Sequence, residues 1–254
     1  MNVLLICCTF HRFSCLKRAL KCYIDQDYPG DSTLFIYNSG REIRLPELSL
    51  PQNKKVVLVN TTKRFDSVGE KYNNALEEAS LLGNFDIVNS WDDDDLRLPT
   101  FISDGVEGMV KARTLNMRAY KSLYSYFRQN HGEISLMNNV MEPSIFVDYE
   151  HIKEKGYGNL NVKYHDSWLH PLIGEHTILA DHDGRPSFIY NWGGDQSVFK
   201  MSGGAETPER YIIHQVNSTD TGEKENYTLS PSTDEEIAKY YNEIKEFNGT
   251  QVNN

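Results

Sequence analysis

Apolar and polar positions alternate along the first 112 residues in a pattern that predicts strands and helices in turn. A continuous apolar run, typical of a strand covered on both faces, predicts a strand at residues 3–8, and shorter apolar-rich runs predict strands at 34–37, 56–59 and 85–91. Apolar positions three and four residues apart predict helices from Phe13 to the Tyr28-Pro29-Gly30 stop, over 68–80, and from Pro99 to about Ala112. The order of these elements predicts a mostly parallel sheet with helices on its faces.

The pattern changes after Arg118. Aromatic-rich runs predict strands at 119–127 and 134–137, followed by a strand at 144–147 and a short helix at 149–155. The chain after Gly193 is rich in Gly, Ser, Thr and Asn, which predicts loop, and 234–247 predicts a final helix. We therefore expect one α/β domain with halves 1–112 and 113–204, and a C-terminal loop and helix at 205–254.

Composition narrows the class of protein. A hydrophobic share of 39% suits a globular core, and no apolar run approaches the roughly 20 residues of a membrane span. The apolar N-terminal run lacks a basic leader and a small-residue cleavage site, so we expect the protein to stay in the cytosol. A net charge of −10 argues against a surface built to bind polyanions throughout.

All cysteines lie near the start of the chain: Cys7, Cys8, Cys15 and Cys22. Such clustering predicts no disulfide framework. Cys7 and Cys8 are adjacent on a strand and should point to opposite faces, which argues against a zinc site. We expect buried, reduced thiols.

Four consecutive aspartates, residues 92–95, follow the fourth predicted strand. Neighbouring carboxylates repel one another and raise each other's pKa values, and a bound divalent cation removes this repulsion. In an extended chain Asp92 and Asp94 face the same way and Asp93 points elsewhere. The competing interpretation is a solvated acidic turn that favours the next helix N-terminus. Because α/β sheets bind ligands beyond the carboxyl ends of their strands, the position favours a metal site.

Several segments, in this order and spacing, resemble the family 2 glycosyltransferases: residues 3–12 with their helix, Gln26-Asp27-Tyr28-Pro29, residues 69–76, and Trp91 to Asp95 with Pro99. The resemblance covers residues 1–112 well and continues weakly to 204. It implies the GT-A fold, a Rossmann-like sheet with helices on both faces and a smaller acceptor-side β/α region. It also implies Mn²⁺- or Mg²⁺-dependent, inverting transfer from a nucleotide-diphosphate sugar, with UDP-sugars favoured, to an acceptor hydroxyl. The first half would bind the donor and the second would face the acceptor.

Site residues follow from the resemblance. The loop that cradles the nucleotide base is matched by Thr9, Phe10, His11 and Arg12. Asn38 stands where the family has an Asp that contacts the base or ribose, so base identity stays open. Competing interpretations are that Thr9 caps the next helix and that Asn38 only forms a turn.

Further donor contacts are implied on the second helix and in the aspartate cluster. Lys71 and Asn73 match the polar helix face near the nucleotide, although a lysine is more often a surface residue. Asp92 and Asp94 match the family's Asp-x-Asp, in which the first lies near the ribose and the second binds the metal. We take both as metal ligands, and Asp92 and Asp93 as donor contacts.

The candidate catalytic base is Asp166, in Tyr164-His165-Asp166-Ser167-Trp168. It matches the family's Glu-Asp motif, with His165 in place of Glu. A positioned carboxylate can accept the proton of the acceptor hydroxyl. The competing interpretation is an N-cap aspartate, and Asp181 and Asp183, which flank His182 in a predicted loop, are weaker candidates for the base.

A late loop, residues 192–204, stands where many GT-A enzymes place a metal-binding His, and it contains none. Asp195 or water would then complete the metal shell. Two Gly pairs suggest a loop that closes over the donor, with Lys200 reaching the diphosphate. The competing interpretation is a surface loop.

Residues 111–132 hold five basic residues and no acid, among aromatics. Such a segment can bind nucleic acid, but more often its aromatics face inward and its cations face solvent, and we favour the second interpretation.

The sequence leaves several functional hypotheses open. Candidate acceptors are a glycan, a lipid-linked sugar or a hydroxymethylated DNA base. An inactive sugar-nucleotide-binding module is a further hypothesis. A nucleotidyltransferase is disfavoured because no Gly-rich basic loop follows the first strand. The sequence does not predict the oligomeric state.

Overall fold

The computed structural model describes residues 1–10, 13–40, 42–45, 47–65, 67–129, 134–139, 142–158, 178–181, 186–192 and 242. The strands in these residues are β1 (Val3–Thr9), β2 (Ser32–Asn38), β3 (Lys54–Asn60), β4 (Ile87–Ser90), β5 (Leu96–Arg97), β6 (Ala119–Ser122), β7 (Tyr124–Gln129), β8 (Ile134–Asn138), β9 (Phe146–Asp148), β10 (Ile178–Asp181) and β11 (Phe188–Trp192). The helices are α1 (Phe13–Ile24), α2 (Val68–Ser80), α3 (Phe101–Thr114) and α4 (Tyr149–Lys155), with a 3-10 turn at Glu142–Ser144. None of the helices described has the length and apolar character needed to cross a membrane.

The main sheet has seven strands in the order β10-β6-β9-β4-β1-β2-β3. Strands β3, β2, β1 and β4 run parallel, and β9 is the antiparallel insertion between β4 and β6. The register pairs Thr9 with Asn38 and Asn38 with Asn60, so these parallel strands end together at one edge. The predicted α/β fold with a mostly parallel sheet is confirmed.

A second sheet of four strands, in the order β5-β11-β7-β8, corrects part of the sequence prediction. The single strand expected at 119–127 divides at Leu123, because residues before it pair with β9 and residues after it pair with β8 and β11. The short strands β5, β10 and β11 were not predicted. Asp181 ends β10, so its assignment to a loop is wrong.

The core lies on both faces of the main sheet, and β1 supplies side chains to each. Val3, Leu5 and Cys7 pack in the cluster that includes α1 and α3, whereas Leu4 and Ile6 pack in the cluster that includes α2 and α4. This explains why β1 is continuously apolar. All four cysteines are free thiols and three are buried, as the sequence predicts, with Cys8 partly exposed on the face opposite Cys7.

The Gln26-Asp27-Tyr28-Pro29 segment joins the end of α1 to the start of α3. The Gln26 amide donates 2.9 Å hydrogen bonds to the Cys22 and Leu98 carbonyl oxygens, and its Oε1 accepts from the Ile102 N–H at 3.0 Å. The Asp27 N–H donates to the carbonyl of Pro99 at 2.9 Å. The side-chain amide of Gln26 is buried and forms hydrogen bonds through both its nitrogen and its oxygen. It therefore holds residues 98–102, which follow the aspartate segment, against α1.

Helix α3 approaches the sheet closely at two glycines. A Cβ on Gly105 would lie 2.1 Å from a ring carbon of Phe146, and one on Gly108 would lie 2.3 Å from the ring of Tyr120. Gly→Ala in a helix interior normally stabilises by up to about 1 kcal/mol. Here we expect Gly105→Ala to lower the free energy of unfolding by about 1–2 kcal/mol, because overpacking a core costs more than the helix gains.

Chemical denaturation measures this effect. Val110→Ala, at a half-exposed position of the same helix, is the control and should change stability by less than about 0.5 kcal/mol. An increase in the stability of Gly105→Ala would contradict the packing described.

Candidate functional site

The site lies at the edge where the parallel strands of the main sheet end. Thr9 is the last residue of β1 and Asn38 the last of β2. The main-chain N–H of Trp91 donates to the carbonyl of Ile6 at 2.7 Å. The hydrogen bonding between β4 and β1 therefore continues to the residue that precedes the aspartates. The fold thus brings Thr9 into contact with Asp93, which lies 84 positions further along the chain.

The aspartate segment turns instead of extending. Asp92, Asp94 and Asp95 each place a carboxylate oxygen within 4.8 Å of the others, whereas Asp93 accepts a 2.7 Å hydrogen bond from the Thr9 hydroxyl. The expectation that Asp92 and Asp94 converge while Asp93 points elsewhere is confirmed. Asp95 was missed, because a turn at residues 93–94 breaks the alternation of an extended chain and returns its carboxylate to the cluster.

Three of the four aspartates are buried and Asp92 is partly exposed, so the segment is not the solvated acidic turn of the competing interpretation. Asp93 and Asp95 are 1% exposed and Asp94 is 9% exposed. Loss of hydration, followed by the charges of Asp95 and Asp94, raises the pKa of Asp92 to about 7, and a hydrogen bond from Tyr72 partly offsets this rise. Three converging carboxylates form a hard oxygen donor set of the kind that Mg²⁺ and Mn²⁺ prefer, so these residues fit such an ion.

Lys71 is part of the site's interior. It is 2% exposed, and its ammonium group donates to the Thr9 carbonyl at 2.7 Å. The interpretation of Lys71 as a surface lysine is therefore wrong. The Thr9 hydroxyl donates to Asp93, so Thr9 links β1 to the aspartate turn. Together Lys71 and Asp93 fix the end of β1 from two sides.

The two asparagines of the predicted site have different surroundings. Asn38 is buried, donates to the Asn60 side chain at 2.8 Å and accepts from the Gly40 N–H at 3.1 Å, which forms a turn at the sheet edge. Asn73 accepts from the Tyr157 N–H at 2.6 Å and donates to the Tyr157 carbonyl at 2.8 Å. Asn73 therefore holds the segment that follows α4, and its contact with a nucleotide stays a prediction.

Phe10 lies beside a cation that the sequence did not reveal. The Arg64 guanidinium is 5.7 Å from the centre of the Phe10 ring and donates to the Ser39 carbonyl at 2.8 Å. Phe10 is 5% exposed. Arg64 belongs to no motif, and only the return of the chain after β3 brings it to this edge.

Four predicted site residues lie outside the described residues: His11, Arg12, Asp166 and Lys200. The same holds for Asp183, the late loop at 193–204 and nearly all of the predicted C-terminal helix. Asp181 is described only as the end of β10.

The basic residues of segment 111–132 are engaged within the fold. Arg113 and Arg118 pair with Asp148 at 2.5 and 3.4 Å, and Lys121 donates to the Asn139 carbonyl at 2.7 Å. The favoured interpretation, a strand with its cations in solvent, holds only in part: Arg118 is exposed, but Arg113 lies on α3 and Arg128 on β7 is buried.

No family model matches the sequence, and no curated protein resembles it closely enough in sequence to count as a relative. Solved structures do resemble it in fold. The structure of S. aureus TarS 1–349 in complex with UDP-GlcNAc matches 97% of this chain and 73% of its own, with a TM-score of 0.56 and 11% identity. The mannosyltransferase PcManGT from Pyrobaculum calidifontis, in complex with GDP-Man and Mn²⁺, matches 85% of this chain and 68% of its own, with a TM-score of 0.53 and 13% identity.

These likenesses show the fold: the chain has a glycosyltransferase fold of the GT-A type. The chain spans 60% to 73% of the length of the TarS 1–349 structures and 38% of TarS itself. At 11–13% identity the neighbours do not define the chemistry, which has to be argued from the site.

Proposed function

We propose that this chain is a family 2 glycosyltransferase that moves a hexose from a nucleotide-diphosphate sugar to an acceptor hydroxyl in the cytosol. The observation that carries the proposal is the convergence of three carboxylates within 4.8 Å at the carboxyl edge of a GT-A sheet. Two structures of similar fold, with UDP-GlcNAc and with GDP-Man and Mn²⁺, support it. Because the TarS complex holds UDP-GlcNAc, a UDP-sugar is the donor we favour.

In this proposal Asp92 and Asp94 hold Mn²⁺ or Mg²⁺. A bound divalent ion supplies Lewis-acid stabilisation of the leaving diphosphate. The nucleoside lies along the ends of β1 and β2, where Thr9, Phe10 and Asn38 form the edge. We propose His11 and Arg12 as further donor contacts. Asp93 is a further contact to the donor nucleotide-sugar, and Lys200 binds the diphosphate.

Lys71 contributes a buried positive charge to the donor site. Its ammonium group holds the Thr9 carbonyl and thereby the loop that begins after β1. Because Asp93 holds the hydroxyl of the same threonine, the nucleoside edge and the aspartate turn are linked through one residue.

We propose Asp166 as the base of a single, inverting displacement, in which its carboxylate accepts the proton of the acceptor hydroxyl as the sugar transfers. Asp166→Asn is then expected to lower kcat by about 10²- to 10⁴-fold. Donor binding with Mn²⁺ should be unchanged, because the base contacts the acceptor. Steady-state kinetics and donor titration measure the two effects. Unchanged turnover in Asp166→Asn would show that another group is the base.

The acceptor we propose is a glycan or a lipid-linked sugar. The hypothesis of a DNA base as acceptor loses support, because Arg113, Arg118 and Lys121 make contacts within the fold. Acceptor binding that weakens steeply with salt would restore it, since phosphate contacts release counterions.

A thermal-shift screen of UDP, GDP, CDP and ADP, with and without Mn²⁺, tests the proposal. A ligand at one hundred times its Kd stabilises the native state by about 2.7 kcal/mol. We expect at least one nucleoside diphosphate, UDP first, to raise the Tm only with Mn²⁺, and excess EDTA to reverse the rise. If none of them stabilises the protein in a metal-dependent way, the proposed function is wrong.

A further inference from the structure

Asp92 is held at its carboxylate by a tyrosine of α2. The Tyr72 hydroxyl donates to Asp92 Oδ1 at 2.6 Å. Tyr72 is 1% exposed, and its ring packs on Tyr157 with the ring centres 5.0 Å apart. Tyr157 is in turn fixed through its main chain by Asn73. A buried hydroxyl on a rigid helix therefore fixes the direction of the Asp92 carboxylate.

The main chain of the same aspartate is held by Arg97 of β5. Arg97 is fully buried, and its guanidinium donates to the carbonyl oxygens of Asp92 at 3.0 Å and Ser90 at 3.1 Å. The guanidinium carbon lies 4.3 Å from the centre of the Trp91 ring and 5.3 Å from that of Phe188. Arg97 thus holds the main chain in place where β4 ends and the aspartate turn begins.

Neither contact is required by a solvated acidic turn. A carboxylate can accept a hydrogen bond from a hydroxyl on one oxygen and still bind a cation, because its two oxygens offer about four lone-pair sites. Outer hydrogen bonds of this kind orient metal ligands, and their loss typically weakens metal binding 10- to 100-fold. The planar guanidinium bonds two carbonyls at once while it stacks on an aromatic ring, and a lysine cannot reproduce this geometry.

We infer that Tyr72 and Arg97 are positioning residues that preset Asp92 for a divalent cation, Tyr72 through the carboxylate and Arg97 through the main chain. The inference rests on the proposed function, because it assumes that Asp92 is a ligand. It assigns to two residues outside the aspartate motif a share of the metal affinity. Neither residue contacts the cation itself.

Tyr72→Phe tests the inference with a change of one oxygen atom. The readout is Mn²⁺ affinity without nucleotide, measured from the electron paramagnetic resonance signal of free Mn²⁺. We expect the affinity to fall about tenfold or more in Tyr72→Phe. The control is Tyr23→Phe, which removes a buried hydroxyl that donates to the Ser32 carbonyl and should leave Mn²⁺ affinity unchanged.

Arg97→Lys tests the main-chain clamp while it keeps the charge. We expect about tenfold weaker Mn²⁺ binding by the folded protein, whereas a purely structural role would lower the Tm and leave that affinity unchanged. The control is Arg113→Lys, on α3, which is paired with Asp148 at the end of β9. If Arg97→Lys does not fold, the Mn²⁺ affinity of Arg97→Gln, which keeps a planar donor group, decides the role of Arg97.

The outcomes separate the two proposals. Mn²⁺ binding by the unmodified protein, with Tyr72→Phe within twofold of it, would overturn the positioning role of Tyr72, and the same result for folded Arg97→Lys would overturn that of Arg97; the proposed function would stand in both cases. Failure of the unmodified protein to bind Mn²⁺, with or without UDP, would overturn the proposed function and the inference together.

Discussion

Replacing Asp94 with asparagine is expected to abolish Mn²⁺-dependent binding of the nucleoside diphosphate and to lower sugar transfer by about 10²- to 10⁴-fold. The metal's stabilisation of developing charge is worth several kcal/mol, and each 1.4 kcal/mol or so is tenfold in rate. The substitution should also affect the stability of the metal-free protein. Asp94 lies within 4.8 Å of two other carboxylates, so removing its charge relieves repulsion in the metal-free protein.

Function and stability should therefore move in opposite directions in Asp94→Asn. We expect turnover to fall while the Tm of the metal-free protein is unchanged or higher. Isothermal titration with Mn²⁺ and UDP, together with a melting curve in EDTA, measures both. Asp31→Asn, at an exposed position, is the matched control and should behave as the unmodified protein. Metal-dependent UDP binding that survives in Asp94→Asn would contradict the assignment of this carboxylate.

Trp91→Ala is expected to lower the free energy of unfolding by about 3–5 kcal/mol. Trp91 is fully buried, packs edge-on against Tyr23 and Phe101, and donates from its indole N–H to the Ala19 carbonyl at 3.2 Å. The substitution removes these ring contacts and also the surface on which Arg97 stacks. Because domains are stable by only about 5–15 kcal/mol, a large part of the stability would be lost.

Urea denaturation followed by circular dichroism measures this loss. The control is Leu81→Ala, at an apolar residue that is 84% exposed, where the change should stay within about 0.5 kcal/mol. A loss below about 1 kcal/mol in Trp91→Ala would mean that Trp91 does not anchor the aspartate turn to the core.

Local patterns predicted the first half of the fold well. Helix α2 has the bounds that its apolar spacing predicts, 68–80, and β1 lies where the first apolar run does. The predicted strand boundaries were less accurate where a strand pairs with partners that are distant in the sequence. The division at Leu123 arises because Tyr120 pairs with Phe146 and Tyr126 with Ile189, and no local signal distinguishes these two environments.

The site shows the same division between local and distant causes. The convergence of Asp92 and Asp94 was predicted from the alternation of an extended chain, but the chain turns at residues 93–94, and this turn also brings Asp95 into the cluster. The hydroxyl of Tyr72 and the guanidinium of Arg97 reach Asp92 only through the packing of α2 and β5. A tyrosine at an inward helical position and an arginine in a two-residue strand carry no sequence signal for such a role.

A crystal structure of the protein with Mn²⁺ and UDP tests the central claim most directly. The account predicts the ion bound by Asp92 and Asp94, with the diphosphate oxygens completing its shell and the nucleoside along the ends of β1 and β2. An ion and nucleotide bound away from this edge, with both carboxylates turned from the ligand, would contradict it.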